Sequence, residues 1–385
     1  MGVRDDGRGG EIPSVPRTWL PRVAGGLLFV AAVACSEAAG QTANPAPAAT
    51  PPAGAPPAGA PPAGAPPAAA QVPAGGVPAA PAKPRSQRLR LETTDGIQLV
   101  AWYYPALSGT SPTAAAVIPA VVILLHDLEG THQSVEPLAL SLQQRGMSVI
   151  APDLRGHGES TARSRGQGGA ETVAARSLKK PDFEAMARSS GGRIRGQAAE
   201  RGDVEAVYGW LREQADAGKL DLSRLFVVGS GLGAAVASQW AVADAAWPET
   251  TSGPQGGMVR GLVLVSPTWT TRGYTMSPAI GAPPLGRTLP IFVVAGRDDA
   301  DATKLFGQLK RQRADEWYEK RAGAAPAQAT KLTKEKGPSI YLMQIDASVT
   351  GDALAAHRSP DPRQAGGDPA NLVAGFIATV SARQP

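Results

Sequence analysis

Short runs of consecutive apolar residues recur along the chain from residue 85 onward. Each run is rich in Val, Ile and Leu, a pattern typical of parallel strands that are covered on both faces. The runs are Ala120–Leu125, Met147–Ala151, Leu225–Val228, Gly261–Val265, Pro290–Ala295 and Ser339–Ile345. Two earlier segments, Gln87–Leu91 and Ile97–Tyr104, alternate apolar and polar residues around Thr94-Asp95-Gly96. This alternation predicts a β-hairpin.

Helical periodicity separates the apolar runs. Val204, Val207, Tyr208 and Leu211 follow the i, i+3, i+4, i+7 spacing of an amphipathic helix. Further helices are predicted near Leu138–Leu142, over Ala234–Ala243, over Thr303–Trp317 and over Leu372–Val380. A hairpin followed by alternating strands and helices predicts an α/β fold. We expect a mostly parallel twisted sheet with helices on both faces and an antiparallel N-terminal hairpin.

A Gly-, Ser- and Arg-rich insertion, about residues 161–200, interrupts this alternation. We interpret it as a solvated, mobile loop on the domain that spans residues 85–385. The alternative is a lid that covers a site at the edge of the sheet.

The N-terminal residues 1–34 have the composition of a secretory signal peptide. Arg17 and Arg22 precede the uncharged apolar run Val23–Ala34, which is too short for a membrane span of about 20 residues. The run ends in Ala32-Val33-Ala34-Cys35, which resembles a bacterial lipobox and contains the only cysteine of the chain. The resemblance implies a lipid on Cys35, a membrane anchor, and a place in the bacterial cell envelope, at the outer membrane or facing the periplasm. Ordinary cleavage after Gly40, which would give a soluble secreted protein, is the alternative.

Residues 35–84 are predicted to form a disordered linker. From residue 41 the segment is nearly all Ala, Pro and Gly, and the sequence Pro51-Pro52-Ala53-Gly54-Ala55 repeats directly after itself. Such a composition has no apolar bulk to bury and favours polyproline-II-like conformations. At about 3.1 Å per residue the linker would reach on the order of 100 Å. It would therefore hold the domain away from a membrane.

Composition and motif spacing exclude several classes of site. The net charge is +5 and aromatic residues are few, so a nucleic-acid partner is not expected. One cysteine cannot form a disulfide framework, and the His and Asp spacings fit no metal-ligand set. The glycine-rich segment Gly229–Gly233 lacks the Lys-Ser/Thr of a phosphate-binding loop. No metal and no cofactor are predicted.

Three segments resemble the α/β-hydrolase superfamily, particularly its serine aminopeptidase-like and dienelactone-hydrolase-like members. Val122–Asp127 resembles the third strand and its His-Gly turn, with Asp127 where the family has glycine. Ile150–Ser160 matches the D-x-R-G-x-G-x-S turn, and Phe226–Ala234 matches the strand-turn-helix elbow that bears the nucleophile. The resemblance covers about residues 86–382. It implies an α/β-hydrolase fold and a serine hydrolase acting on a carboxylic ester or a peptide bond.

The elbow departs from the family pattern G-x-S-x-G at its centre. Gly229 and Gly233 occupy the outer positions, so that Gly231 stands where the nucleophile belongs and Ser230 lies one residue early. Glycine adopts a positive φ without penalty, and the turn is therefore expected to persist without its hydroxyl. In this frame the Ser230 side chain points away from the site. The alternative is an irregular site in which Ser230 is the nucleophile.

The other members of a catalytic triad are implied by the resemblance. Asp299, in the turn after the strand over residues 290–295, is the candidate acid, although a helix-capping aspartate would look the same. Thr350 stands where the family has histidine, and His357 is the remaining candidate base. The other histidines are expected in structural turns; they are His126, His132 and His157.

Three functions remain open. The first is a tethered α/β-hydrolase homologue with impaired catalysis that binds a small molecule, a peptide or a partner protein in the old cleft. Its oxyanion donors, the backbone N–H groups of Leu128 and Leu232, would survive side-chain changes. The second is an active esterase- or aminopeptidase-like hydrolase that uses Ser230, Asp299 and His357. The third is a structural envelope protein.

Overall fold

The computed structural model describes most of the chain after residue 85. The described residues are 86–107, 119–165, 169–189, 200–247, 249–250, 253–254, 256–330, 332, 337–360 and 367–383. The predicted signal peptide, Cys35 and the predicted linker lie outside them. No helix within these ranges has the length and apolar character needed to cross a membrane.

The strands follow the apolar runs of the sequence and add several short ones. They are β1 Gln87–Glu92, β2 Ile97–Tyr104, β3 Val121–Leu125, β4 Ser148–Pro152, β5 Ala162–Arg165, β6 Gly169–Thr172, β7 Leu225–Ser230, β8 Glu249–Thr250, β9 Gly253–Pro254, β10 Val259–Val265, β11 Thr270–Thr271, β12 Tyr274–Thr275, β13 Ile291–Ala295, β14 Trp317–Lys320, β15 Ala327–Gln328 and β16 Ile340–Gln344.

The helices lie between these strands, as the 3.6-residue periodicity predicts. They are α1 His132–Gln143, α2 Lys180–Met186, α3 Asp203–Asp216, α4 Leu232–Ala245, α5 Ser277–Gly281, α6 Ala300–Gln312, α7 Gly351–Ala355 and α8 Pro369–Arg383. Two 3-10 turns, Ala175–Ser177 and Leu222–Arg224, precede α2 and β7.

A single large sheet organises the described residues. Its order is β15-β14-β16-β13-β10-β7-β3-β4-β2-β5-β6, and β1 pairs with β2. The strands from β4 to β14 along this order are parallel to one another, whereas β1 and β2 form the predicted antiparallel hairpin. The predicted mostly parallel sheet with an antiparallel start is therefore confirmed.

The sheet is buried on both faces, and its central strands are apolar at nearly every position. Val227 belongs to one core cluster and its neighbour Val228 to the other. Residues of α3, α4 and α6 pack into the first cluster, and residues of α1, α7 and α8 pack into the second. The helices therefore cover both faces, as predicted.

The structure corrects two predictions made from periodicity. The insertion is not simply a solvated loop: β5 and β6 extend the sheet beyond β2, and Phe183 and Met186 of α2 are buried. The helix predicted over Thr303–Trp317 begins earlier, at Ala300, and ends at Gln312. Trp317 instead opens β14, whose four residues are too few to show a period in the sequence.

Candidate functional site

The candidate site lies at the edge of the sheet where the parallel strands end. The loops after β3, β7, β10, β13 and β16 meet there. The Gly231 N–H donates to Val265 O at 3.0 Å, and the Arg297 N–H donates to Ala347 O at 2.8 Å. These bonds join the loop after β7 to β10, and the loop after β13 to the loop after β16. The edge thus gathers Asp127, Gly231, Asp299 and Thr350.

The elbow has the geometry that its three glycines allow. β7 ends at Ser230, α4 begins at Leu232, and Gly231 between them has a φ of 50° and a ψ of −115°. A Cβ on Gly233 would lie 2.5 Å from His126 O, so that only glycine fits the contact between α4 and the end of β3. The predicted turn is therefore present, with a hydrogen atom where a nucleophilic side chain would stand.

The carboxylate of Asp127 fills the space above this turn. Its Oδ1 accepts hydrogen bonds from the backbone N–H groups of Leu128 and Leu232, both at 2.7 Å. A Cβ placed on Gly231 would overlap all three carboxylate atoms. These two N–H groups are the donors that the resemblance assigns to an oxyanion. Asp127 therefore occupies both the place of a side chain at position 231 and the oxyanion donors.

A second carboxylate, that of Asp352, holds this arrangement from α7. Asp352 Oδ1 accepts the Asp127 N–H at 2.9 Å, and Oδ2 accepts the hydroxyl of Ser134 at 2.5 Å. A Cβ on Gly351, whose φ is 57°, would overlap Asp127 Oδ2, and a Cβ on Gly130 would overlap Asp352 Oδ2. Glycines 130, 231 and 351 thus each leave room for one of the two carboxylates.

Burial dominates the electrostatics of Asp127. It raises the pKa of this carboxyl above its ordinary value, and the nearby charge of Asp352 adds to the increase. The N–H groups of Leu232 and Leu128 act in the opposite sense because they stabilise the charged form. Leu232 is the first residue of the 14-residue helix α4, and Asp127 therefore also caps the positive end of that helix across the fold.

His126, next to Asp127, is a neutral structural histidine. Its Nε2 accepts the Leu154 N–H at 2.9 Å, and consequently its Nδ1 carries the proton and donates to Asp127 O at 2.6 Å. Complete burial, with a contribution from His157, lowers the pKa of His126 to about 4. The ring links the loop that carries Asp127 to the turn after β4.

Asp299 has the place of the triad acid but the contacts of a helix cap. Its Oδ1 accepts the Ala302 N–H at 2.8 Å in the first turn of α6, and its Oδ2 accepts the hydroxyl of Ser266 at 2.6 Å. Both Asp299 oxygens are engaged, and neither contact involves a histidine.

The structure does not bring the proposed alternative triad together. The Ser230 hydroxyl is buried and has no hydrogen-bond partner among the described residues. Ser230 pairs in register with Val265, whose side chain belongs to the second core cluster. His357 follows α7 on a segment whose next residue, Arg358, donates to Pro137 O of α1. In the described parts of the chain, no hydrogen bond joins Ser230, Asp299 and His357. Thr350 is exposed at the start of α7.

The acid and the arginine of the D-x-R-G-x-G-x-S turn are bonded to neighbouring elements of the fold. Asp153 Oδ1 accepts the His132 N–H at 2.7 Å, and Asp153 Oδ2 accepts the Glu159 N–H at 2.8 Å. Arg155, with 0% exposure, donates through Nη2 and Nε to Asp203 at 2.7 and 2.9 Å. These contacts bind the turn to α1 and α3.

The sequence did not reveal the contacts made by the carboxylates. Asp127 stood out only as a departure from a family turn, and Asp352 had no signal except its place next to Thr350-Gly351. Two cavities among the described residues, of about 360 and 290 Å³, lie beside α6 and at the C-terminal end of α4. Neither is lined by Asp127, Gly231 or Gly351. Those described residues also contain no group of three His, Cys, Asp or Glu side chains suited to a metal ion.

Comparisons with known proteins place partial relatives beside this chain. An uncharacterised protein of Mycobacterium tuberculosis is 30% identical over 159 residues, which is 41% of this chain and 42% of that protein. A thermostable monoacylglycerol lipase of a Bacillus species is 44% identical over 55 residues, 14% of this chain and 22% of the lipase. The chain therefore spans less than half the length of these relatives.

Solved structures with low sequence identity also align with it. An esterase of Pyrococcus furiosus is 16% identical with a TM-score of 0.42, and the match covers 76% of this chain and 92% of the esterase. An α/β serine hydrolase without a lid from Xanthomonas campestris is 17% identical with a TM-score of 0.42, covering 78% and 95%. The model of the family described as serine aminopeptidase, S33, matches residues 117–326, more than half of the 385 residues. The chain therefore belongs to the serine aminopeptidase (S33) family of α/β-hydrolases.

Proposed function

We propose that this chain is an α/β-hydrolase homologue that does not perform serine-dependent hydrolysis and that acts by binding a small molecule, a peptide or a partner protein. The observation that carries the proposal is the Asp127 carboxylate on the N–H groups of Leu128 and Leu232, at 2.7 Å from each. A serine hydrolase needs those donors for the developing oxyanion of its substrate. Here a side chain of the protein already satisfies them.

The residues at the nucleophile and base positions also support a protein without serine-dependent hydrolysis. A weak nucleophile needs a base within hydrogen-bond reach, and the Ser230 hydroxyl has no partner in the described part of the chain. The residue at the apex is Gly231, and the residue at the family's histidine position, Thr350, is exposed. The fold of an ester or peptide hydrolase is kept while its nucleophile and its base are missing.

We further propose that the domain is exported and tethered to the cell envelope through a lipid on Cys35. The support is the apolar run Val23–Ala34, the lipobox-like Ala32–Cys35 and the Pro-Ala-Gly segment that follows. Metabolic labelling with an alkyne fatty acid in a bacterial host tests this tether. Wild-type protein should take up the label, and Cys35→Ser should not.

A fluorophosphonate probe tests the absence of an activated serine. The full chain should show no labelling above that of its Ser230→Ala variant, because no described group can deprotonate the Ser230 hydroxyl. An active serine hydrolase of the same family serves as the positive control. Hydrolysis of a p-nitrophenyl ester should likewise be equal in wild type and Ser230→Ala.

Labelling of the wild type that disappears in Ser230→Ala would overturn the proposal. It would restore the alternative of an irregular active site built on Ser230. His357→Ala then decides whether that site uses His357 as its base, since labelling would fall in this variant as well.

A further inference from the structure

Both oxyanion donors of this protein are in place, and both donate to a side chain of the same chain. They come from two elements, because Leu128 lies in the loop after β3 and Leu232 begins α4. Both N–H groups converge on one oxygen atom, Asp127 Oδ1. A carboxylate is held here as an external oxyanion would be held, which makes Asp127 an internal ligand.

The Asp127 carboxylate is only partly enclosed by its surroundings. Asp127 is only half-buried, and its Oδ2 accepts no hydrogen bond among the described residues. Gly231 and Gly351 face the carboxylate without side chains. Rotation about its own side-chain bonds would therefore carry the carboxyl group to water and leave both N–H donors free.

We propose that the Asp127 carboxylate is an internal competitive ligand that acid releases from the Leu128 and Leu232 N–H groups. Once Asp127 is protonated, these groups bind a small external oxyanion, such as a carboxylate or a sulfonate. This inference rests on the proposed function, since a site that turned over esters would need the same donors for its substrate. It names the ligand class and the control of the same site.

The charged and titratable groups around Asp127 bear on the direction in which its pKa is shifted. Asp352 of α7 lies beside it, and this repulsion together with burial favours the neutral carboxyl and raises its pKa. Glu129 of the same loop is 71% exposed, and its Oε1 lies 3.9 Å from Nη2 of Arg272 in the turn between β11 and β12. His126 is neutral because its pKa is lowered to about 4. Acid that protonates Asp127 gives a neutral carboxyl, which holds the two donors less strongly.

Binding of methanesulfonate by the full chain tests the release of Asp127, because this anion keeps its charge across the pH range of the titration. We expect binding by folded wild type to tighten progressively, by at least about threefold in all, as pH is lowered from about 7.5 through the acid transition of Asp127, since protonation removes the competing carboxylate. Asp127→Asn is the isosteric neutral variant and should bind equally across this pH range. Asp127→Gly, which empties the donors, should bind most tightly at every pH.

Asp221→Asn is the matched control. Asp221 accepts the Ser223 N–H in a 3-10 turn outside the site, so the same change of charge there should leave the wild-type pH dependence intact. If the pH dependence of methanesulfonate binding persists in Asp127→Asn, it comes from the general charge of the protein, and the proposed release of Asp127 is wrong. Absence of binding to folded Asp127→Gly would overturn the donor site itself. Either result leaves the proposed function standing, which fails separately if wild type reacts with the fluorophosphonate probe.

Discussion

Two turns at the same edge of the sheet differ in what their polar groups do. The turn from Asp153 to Ser160 is held by its own residues and by α1 and α3, and its arginine is fully buried against Asp203. The elbow around Gly231 has no polar side chain of its own at the apex. Its donors are satisfied by Asp127, which lies 105 positions away from Leu232 along the chain.

The comparison distinguishes residues that support the family's fold from the position at which the family carries its nucleophile. In the first turn, Asp153, Arg155 and Ser160 make buried hydrogen bonds, and loss of one of these side chains would leave a buried charge or N–H group unpaired. The elbow matches only in its glycines, which are needed for backbone geometry. At its apex the Asp127 carboxylate packs against Gly231 and caps α4.

Arg155→Ala is expected to have the largest effect on stability. Removal of the guanidinium leaves Asp203, with 0% side-chain exposure, as an uncompensated buried charge, which costs about 3–5 kcal/mol. Urea unfolding should show this loss. Arg165→Ala, which breaks an ion pair whose arginine is 69% exposed, should change stability by less than about 0.5 kcal/mol. Similar losses in the two variants would contradict the structural role of the first turn.

Acidification should loosen the link between the two turns. The folded-state pKa of His126 is lowered from 6.5 to about 4, so its contribution is fully present above 6.5 and is lost as pH falls toward 4. The contribution is roughly 3 kcal/mol. NMR titration of the imidazole should find it neutral down to near pH 4. His126→Gln should lose less stability than wild type over this range, and a midpoint near 6.5 would contradict the buried neutral ring.

Gly231→Ser should destabilise the protein by about 2–3 kcal/mol, because the new Cβ overlaps the Asp127 carboxylate. In the Asp127→Gly background the cost should fall, giving a coupling energy of about 1–2 kcal/mol. Gly218→Ser is the matched control, since Gly218 has a φ of 71° and no atom lies within 4 Å of the position that a Cβ would take there. Equal costs for the two serines in wild type would show that Asp127 does not fill the elbow.

Asp127→Ala should have the smallest of these effects, a loss of about 1 kcal/mol, because α4 loses its capping acceptor while a buried charge is also removed. Asp127→Asn should lose less, since asparagine retains an acceptor oxygen. Thermal unfolding at neutral pH distinguishes them. A variant Asp127→Ala as stable as wild type would mean that the carboxylate contributes nothing to the elbow.

The sequence predicted the fold well because the central strands are mostly apolar runs and helices such as α3 show a clear period. It also located the departure at Gly231 and the donors at Leu128 and Leu232. It could not predict that Asp127 reaches those donors, because the contact joins residues 105 positions apart and depends on space left by Gly231 and Gly351. Asp299 and its role as a helix cap could not be separated from a triad acid, since both follow a strand and precede a helix.

The backbone amide protons of Leu128 and Leu232 sense directly whether the Asp127 carboxylate occupies the oxyanion donors. In an NMR acid titration of the full chain, both resonances should move together in one transition whose midpoint lies above 3.8, the ordinary pKa of aspartate. The transition should be absent in Asp127→Asn and present in Asp221→Asn. Amide resonances that do not respond to pH in wild type, or a transition that survives in Asp127→Asn, would contradict the account.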